Sequence, residues 1–434
     1  MESNVETLGT LERRLNVTVP QKEVEIEIES RLKRLARTAK IHGFRSGKVP
    51  LKIISQHYGL QVRQEVMSDV LQKSFSEAIR EQKLRVAGYP NFKAKELDEN
   101  SSQFEYSATF EVYPDITIGN LESLSIEQPM MKVSAADVDK AIEVMRKQRT
   151  KYDEVERAAI KGDRVNIDYH GLIGGIEFDG GSAKEALLVL GEGQFLKEFE
   201  VAIIGMSKEQ KKSFEVVFPE SYHSKEVAGK TAIFEVTINI VEEPKLPMVN
   251  EDFAKSLGIA SGDVEKMRME VKVNLEREVS KRIKTKVKEH VMQALLETIT
   301  IDTPKALVSL EVDRLMQSAK DDLKERGMKD KDIPLPKDLF QEQAERRVNL
   351  GLILTELVKI YDLRAKPEQV RRLIEEFAQS YENPSEVVKM HYSSKERLHE
   401  AESAVLEDNV VAWVLEKATI VKKEVTFDEL MGKS

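Results

Sequence analysis

Apolar residues alternate with polar ones at Leu15, Val17 and Val19, a period of two that predicts a strand. From Val24 the spacing lengthens, and Val24, Ile28, Leu32 and Leu35 recur as on one face of a helix. A second helix is expected over residues 62–83, with Val66, Val70 and Phe75 on its apolar side. Alternation returns over residues 104–112 and stops at Tyr113-Pro114. Residues 1–115 therefore read as one α+β domain. Ser134-Ala-Ala-Asp137 has the form of a capping box ahead of a helix through Val138, Ile142 and Met145. With the extended stretch before it, that helix makes residues 116–149 a linker.

The next region is punctuated differently. Ten of the 21 glycines lie between Gly162 and Gly229, as a sheet with many tight turns requires. Strands are expected at residues 165–169, 214–218 and 232–241, with one short helix near 195–203, giving a compact half-open β-sheet domain between Asp163 and Val241. Beyond Pro247 the pattern is amphipathic and helical, clearest at residues 264–298, 305–326, 338–361, 367–380 and 394–418. Pro304, Pro334, Pro336, Pro367 and Pro384 fall between or at the starts of these stretches. No repeat of about 20–50 residues runs through them, so residues 246–434 are expected to form an irregular all-α body, not a solenoid. The expected fold class is multidomain α+β.

Composition narrows the chemistry. At 434 residues the chain exceeds one hydrophobic core. The absence of cysteine excludes disulfides, thiolate nucleophiles and sulfur-ligated metals, and favours a reducing, cytoplasmic setting. The amino terminus lacks the pattern of a secretory signal, and nowhere do about 18 apolar residues run together, so no membrane partner is expected. A dinucleotide fingerprint and a phosphate-binding Gly-x-x-x-x-Gly-Lys-Ser/Thr run are both missing, so ATP is not expected to take part. The seven histidines are scattered and form no zinc motif; neither metal nor cofactor is expected.

Net charge is −9, yet residues 31–64 hold nine Lys or Arg and no Asp or Glu. Inside that run stands Gly43-Phe44-Arg45-Ser46-Gly47-Lys48-Val49-Pro50, with two glycines for a tight loop, two cations, one ring and a proline. On chemistry alone it is either an ordinary basic loop with Phe44 turned inward or a tip that docks on an anionic, RNA-rich surface. The segment resembles the ribosome-binding signature of the trigger-factor family, Gly-Phe-Arg-any-Gly-Lys-any-Pro, at every fixed position. That resemblance implies docking beside the nascent-chain exit tunnel of the large ribosomal subunit, on protein and ribosomal RNA, through Gly43, Phe44, Arg45, Ser46, Gly47, Lys48, Val49 and Pro50. Residues 340–352, 378–384 and 412–431 are also similar to trigger factors, implying a helical body with two projecting arms that holds nascent and unfolded polypeptides. It further implies a homodimer off the ribosome. Flexible methionines such as Met316 and Met390 suit a surface that binds many sequences weakly.

Between residues 150 and 245, Val165-Asn-Ile-Asp-Tyr-His-Gly171, Glu177-Phe-Asp-Gly-Gly181, Leu190-Gly191, the 195–199 segment and Phe218-Pro-Glu-Ser-Tyr222 resemble the FKBP-type prolyl isomerases in order and spacing. The resemblance implies a catalytic pocket of Tyr169, Phe178, Asp179, Phe195, Leu196, Phe199, Tyr222 and Phe234, with the Tyr222 hydroxyl donating to the substrate carbonyl. Such a pocket needs no nucleophile, since the barrier of about 18–20 kcal/mol is amide resonance, which an apolar surround weakens. One departure stands out: Leu196-Lys197-Glu198-Phe199 replaces an Ile-Pro-Gly-Phe-like run. If the glycine there has positive φ, Glu198 strains the pocket edge. Two alternatives to an isomerase-bearing ribosome-associated chaperone remain open on the residues: a stand-alone prolyl isomerase, and a helical scaffold chaperone with an inactive isomerase module.

Overall fold

The structure, a computed structural model, describes residues 2–39, 41–42, 44, 49–94, 103–119, 121–222, 224, 226–326 and 335–432. The chain divides into two compact units, Met1–Pro129 with Lys284–Lys423, and Met130–Ile283 with Glu424–Ser434.

In the first unit, β1 (Glu2–Thr7), β2 (Glu12–Pro20), β3 (Val86–Ala94) and β4 (Gln103–Val112) form an antiparallel sheet in the order β1-β2-β4-β3. The alternation seen in the sequence sets its register. Leu15 pairs with Ala108, Val17 with Tyr106 and Val19 with Phe104, and all six side chains are buried. Two helices, α1 (Gln21–Thr38) and α2 (Leu51–Glu81), pack on this sheet through Val24, Leu32, Ile54, Val62, Val66 and Phe75. Helix α2 starts well before the expected residue 62. The Pro50 carbonyl accepts from the amides of Ile53 and Ile54 at 3.0 and 3.2 Å, but Ile54 alone is buried ahead of Val62, so the first turns carry little helical periodicity. Inside the core, the Tyr106 and Ser74 hydroxyls are 2.8 Å apart, and Ser74 also donates to the Val70 carbonyl at 2.6 Å. Burial pushes the Tyr106 phenol above its ordinary pKa, with the Ser74 bond opposing. Strand β5 (Ser125–Met130) follows.

The second unit opens with α3 (Ala135–Gln148), capped as the sequence implies: Ser134 Oγ accepts from the Asp137 amide, and the Asp137 carboxylate accepts from the Ser134 amide at 2.9 Å. Strands β6 (Lys151–Glu154), β7 (Arg164–Ile173), β8 (Ile176–Val189), β9 (Lys211–Val217) and β10 (Thr231–Lys245) make an antiparallel sheet, with α4 (Lys197–Ile203) as its one short helix. Strand β10 is the spine. One edge pairs with β7, which pairs in turn with β8; the other pairs with β9 along its first half and β6 along its last. The long β8 escapes a reading by alternation because Gly180 and Gly181 interrupt its start and the β7–β8 register shifts twice. Asp163, 1% exposed, accepts from both guanidinium nitrogens of Arg157 at 2.5 and 2.9 Å and from the Ile160 amide. Although burial opposes it, these bonds hold the Asp163 carboxyl below the usual carboxylate range. Helix α5 (Glu251–Ser256) and the start of α6 (Val264–Thr298) pack on α3 through Phe253, Met267, Val271, Val138 and Ile142.

The first unit is completed by α7 (Lys305–Glu325), α8 (Asp338–Tyr361), α9 (Pro367–Ala378), α10 (Pro384–Ser393) and α11 (Lys395–Lys417). Helices α7 and α8 run antiparallel, joined by Thr303–Asn349, Glu311–Arg347 and Asp313–Lys337 contacts. Helices α9, α10 and α11 share a small core of Val370, Ile374, Ala401 and Val405, with Val388 beside it. After α11 the chain is not helical throughout: β11 (Thr419–Glu424) pairs with β5, and a short α12 (Phe427–Met431) follows. Thr419, Ile420, Val421 and Val425 supply the β-branched residues that favour extension there. The amino-terminal sheet meets the start of α7 closely. Gly88 has φ +78, an added Cβ would lie 2.6 Å from the Ala306 Cβ, and the Glu111 carboxylate accepts from the Ala306 amide at 2.7 Å.

Candidate active site

The sheet of the second unit curls over α4 and leaves a cavity of about 400 Å³. Its walls come from separate pieces of chain. Tyr169 stands on β7 and Phe178 near the start of β8; Phe195 and Leu196 lie in the loop before α4; Phe199 sits on α4, Tyr222 after β9 and Phe234 on β10. These seven and Asp179 line the one cavity, as do Val216, Phe218 and Val227. Phe199 and Phe234 are buried and make the floor, while Tyr169, Phe178, Phe195, Leu196 and Tyr222 are partly open. Asp179 is exposed at the rim.

The rings hold one another. Phe195 stacks on Phe199 with centroids 4.8 Å apart, and Tyr169 meets Phe195 and Phe199 edge-on at 5.5 and 5.9 Å. Phe178 lies edge-on to Phe218 and Phe234, and Phe218 to Tyr222. Two glycines make room: a Cβ on Gly171 would lie 2.5 Å from Phe234 Cε1, and one on Gly181 would lie 2.9 Å from Phe178 Cε1. Burial, with neighbouring Tyr222 adding to it, pushes the Tyr169 phenol above its ordinary pKa. The Tyr169 phenol therefore stays protonated at neutral pH and can only donate or accept hydrogen bonds. A lining of this kind removes water from a bound amide and offers it little but rings and a few hydroxyls.

The strain expected at Glu198 does not arise. Glu198 occupies the second position of α4, its side chain is exposed, and the non-glycine residues of positive φ among the described residues are Lys83, Glu185, Glu209 and Asp362. The neighbouring Glu200 is the residue that pattern reading misses. It is 5% exposed, and its carboxylate accepts from the amides of Gly191 and Phe195. A glutamate in a short charged helix reads as solvent-facing; its place directly after Phe199 is the available signal.

Of the 43–50 segment, Phe44, Val49 and Pro50 are described, while Gly43, Arg45, Ser46, Gly47 and Lys48 lie outside the described residues. Phe44 is 42% exposed, not turned inward, whereas Val49 is buried in the sheet–helix core and Pro50 leads into α2. The basic run around it is partly neutralised by acids from outside 31–64. Arg31 reaches Asp69 at 2.7 Å, Arg34 reaches Glu27 at 3.0 Å, and Lys33 reaches Glu29 at 2.6 Å.

An antiparallel sheet curled over one short helix around an aromatic cavity defines the second unit's module as an FKBP-type prolyl isomerase. Residues 155–239 match the model of the FKBP-type peptidyl-prolyl cis-trans isomerases. Residues 1–145 match that of the bacterial trigger factor protein, and residues 263–416 that of its C-terminus. The trigger factor of Nitrosospira multiformis is 62% identical over 435 residues, covering 100% of both chains. Those of Chromobacterium violaceum and Laribacter hongkongensis are 52% and 51% identical, each over 100% of this chain and at least 99% of the relative. The chain belongs to the trigger factor family, ribosome-associated chaperones that carry a peptidyl-prolyl cis–trans isomerase domain.

Proposed function

We propose that the eight residues Tyr169, Phe178, Asp179, Phe195, Leu196, Phe199, Tyr222 and Phe234 are the isomerisation site. The observation that carries this is their convergence on one cavity floored by buried rings. A prolyl ring sits over Phe199 and Phe234, and the preceding carbonyl is stripped of water and takes a hydrogen bond from Tyr222. Twisting about the C–N bond localises the nitrogen lone pair and lowers charge separation, so an apolar surround favours the twisted amide over the planar one. Each 1.4 kcal/mol of that preference is about tenfold in rate. A coupled assay on an Xaa-Pro tetrapeptide tests it: Tyr222→Phe should lower kcat/KM about tenfold with little change in thermal stability, and an unchanged rate removes Tyr222 from the chemistry.

Residues 1–115 dock on the large ribosomal subunit near the exit tunnel through the 43–50 tip, touching protein and ribosomal RNA; residues 116–149 link to the isomerase domain at 150–245; residues 246–434 hold nascent and unfolded polypeptides. The protein acts in the cytoplasm by binding and release without ATP or cofactor, and pairs as a homodimer when off the ribosome. Exposed Phe44 supports the docking role, and exposed Phe377, Tyr381, Met390 and Tyr392 on and around α9 and α10 support the holding role. Co-sedimentation with bacterial ribosomes across a salt series tests the tip: Phe44→Ala/Arg45→Ala/Lys48→Ala should lose binding that the parent chain shows at low salt. Equal binding by the two chains would remove the tip from the interface.

A further inference from the structure

We infer that Glu200 is a positioning residue of the isomerase site, holding the loop that sets Phe195 against Phe199. The loop between Leu190 and α4 turns sharply, with positive φ at Gly191 and Gly193, and it contributes Gly193, Gln194, Phe195 and Leu196 to the cavity. Such a stretch lacks the ladder that fixes a strand, so what fixes it decides how well its ring is placed. Two of its amides turn inward on one carboxylate. Gly191 N donates to Glu200 Oε2 at 2.9 Å, and Phe195 N donates to Oε1 at 3.2 Å. One end of the loop and the residue whose ring forms the wall are thereby tied to the same side chain.

The chemistry favours a carboxylate at this position over its isosteres. Both oxygens accept and neither donates, so each meets an N–H without conflict. A glutamine would turn an NH2 toward one of the two amides and leave donor facing donor. An aspartate is one methylene short of the reach. Glu200 is 5% exposed and sits next to Phe199 on α4, so the side chain that orients the wall is anchored beside the floor. Phe195 then stacks on Phe199 at 4.8 Å with an interplanar angle of 21° and braces Tyr169 edge-on. Glu200 itself is not among the residues lining the cavity; its effect on the reaction passes through Phe195.

The inference rests on the cavity's being the isomerisation site, and a double-mutant cycle in the full chain separates the two. kcat/KM for an Xaa-Pro tetrapeptide is measured for the parent, Glu200→Gln, Phe195→Ala and the double variant, with thermal unfolding of each. Glu200→Gln should lower kcat/KM about tenfold, and adding it to Phe195→Ala should change nothing further, because residues acting through one contact are not additive. Independent losses that add, or a Glu200→Gln rate equal to the parent's, overturn the positioning role while leaving the cavity intact. A Phe195→Ala rate equal to the parent's overturns the wall and the role of Glu200 with it. Should Glu200→Gln fail to fold, amide hydrogen exchange in the parent decides: Gly191 and Phe195 should exchange more slowly than Gly193 and Gln194, and equal exchange overturns the proposal.

Discussion

The molecule uses clustered aromatic rings on an antiparallel sheet twice, with opposite results. In the first unit Phe75 lies edge-on to Phe92 and Phe110 at 5.4 and 5.3 Å, and Tyr106 touches Phe92 and Phe104. Four of those five rings are buried. In the second unit seven rings interlock just as closely, yet they enclose about 400 Å³ of space. The difference lies in what covers the sheet. Helices of 18 and 31 residues lie over the first, whereas α4 has 7 and covers part of the second. Where helix runs out, rings become a lining. The cavity here is a core left unfinished along one side, so most of the rings that line it also pack against the core beneath.

Removing one ring from each cluster separates the two most clearly. Phe199→Ala should cost the second unit about 4 kcal/mol and abolish tetrapeptide isomerisation. Phe75→Ala should cost the first unit a similar amount while isomerisation continues at the parent rate, read by urea unfolding beside the coupled assay. A loss of isomerisation in Phe75→Ala would undo the separation of the two clusters.

A smaller change acts on the cavity floor alone. Gly171→Ala places a methyl 2.5 Å from the present position of Phe234 Cε1, so the floor must move. Overpacking of this kind costs about 1–3 kcal/mol, and kcat/KM should fall by more than the modest shift in unfolding midpoint suggests. A variant with normal kinetics would show that the floor has slack.

The smallest effect concerns acid. The Asp163 carboxyl titrates below its ordinary value when folded, so its contribution is complete above the unfolded pKa of about 3.9 and is lost as pH falls through the lower folded value. Asp163→Asn should therefore be less stable than the parent at neutral pH, by about 2 kcal/mol for a buried acceptor losing charge-assisted bonds. The gap should close below about pH 4. A gap constant down to pH 2 would assign the loss to shape instead of charge.

How far the sequence reaches follows the same division. Strands β2 and β4 bury one face, so alternation exposed them, and the long helices after Pro247 show in their periodicity. Strand β8 stayed hidden because glycines and register shifts break its alternation, and α10 because ten residues with none buried leave no stripe to read. The cavity was legible through resemblance of motifs, not through pattern: a Phe that lines a pocket and a Phe that fills a core look alike along the chain. Glu200 was missed for the converse reason: apart from its place after Phe199, its burial depends on two backbone amides that meet only in the folded loop. The acid-free run at 31–64 misled in part, because Arg31 and Arg34 find their carboxylates at Asp69 and Glu27.

The notch at Gly88 sets a timetable for the chain's own birth. The bond from the Ala306 amide to the Glu111 carboxylate joins residues 195 positions apart, and synthesis at about 5–20 residues per second separates them by roughly 10–40 s. Throughout that interval the amino-terminal sheet exists without the helix that fills its notch, while the isomerase strands, which pair only among themselves, are made whole. Vectorial synthesis therefore finishes the inserted isomerase strands before the first unit, which brackets them in the chain, can close.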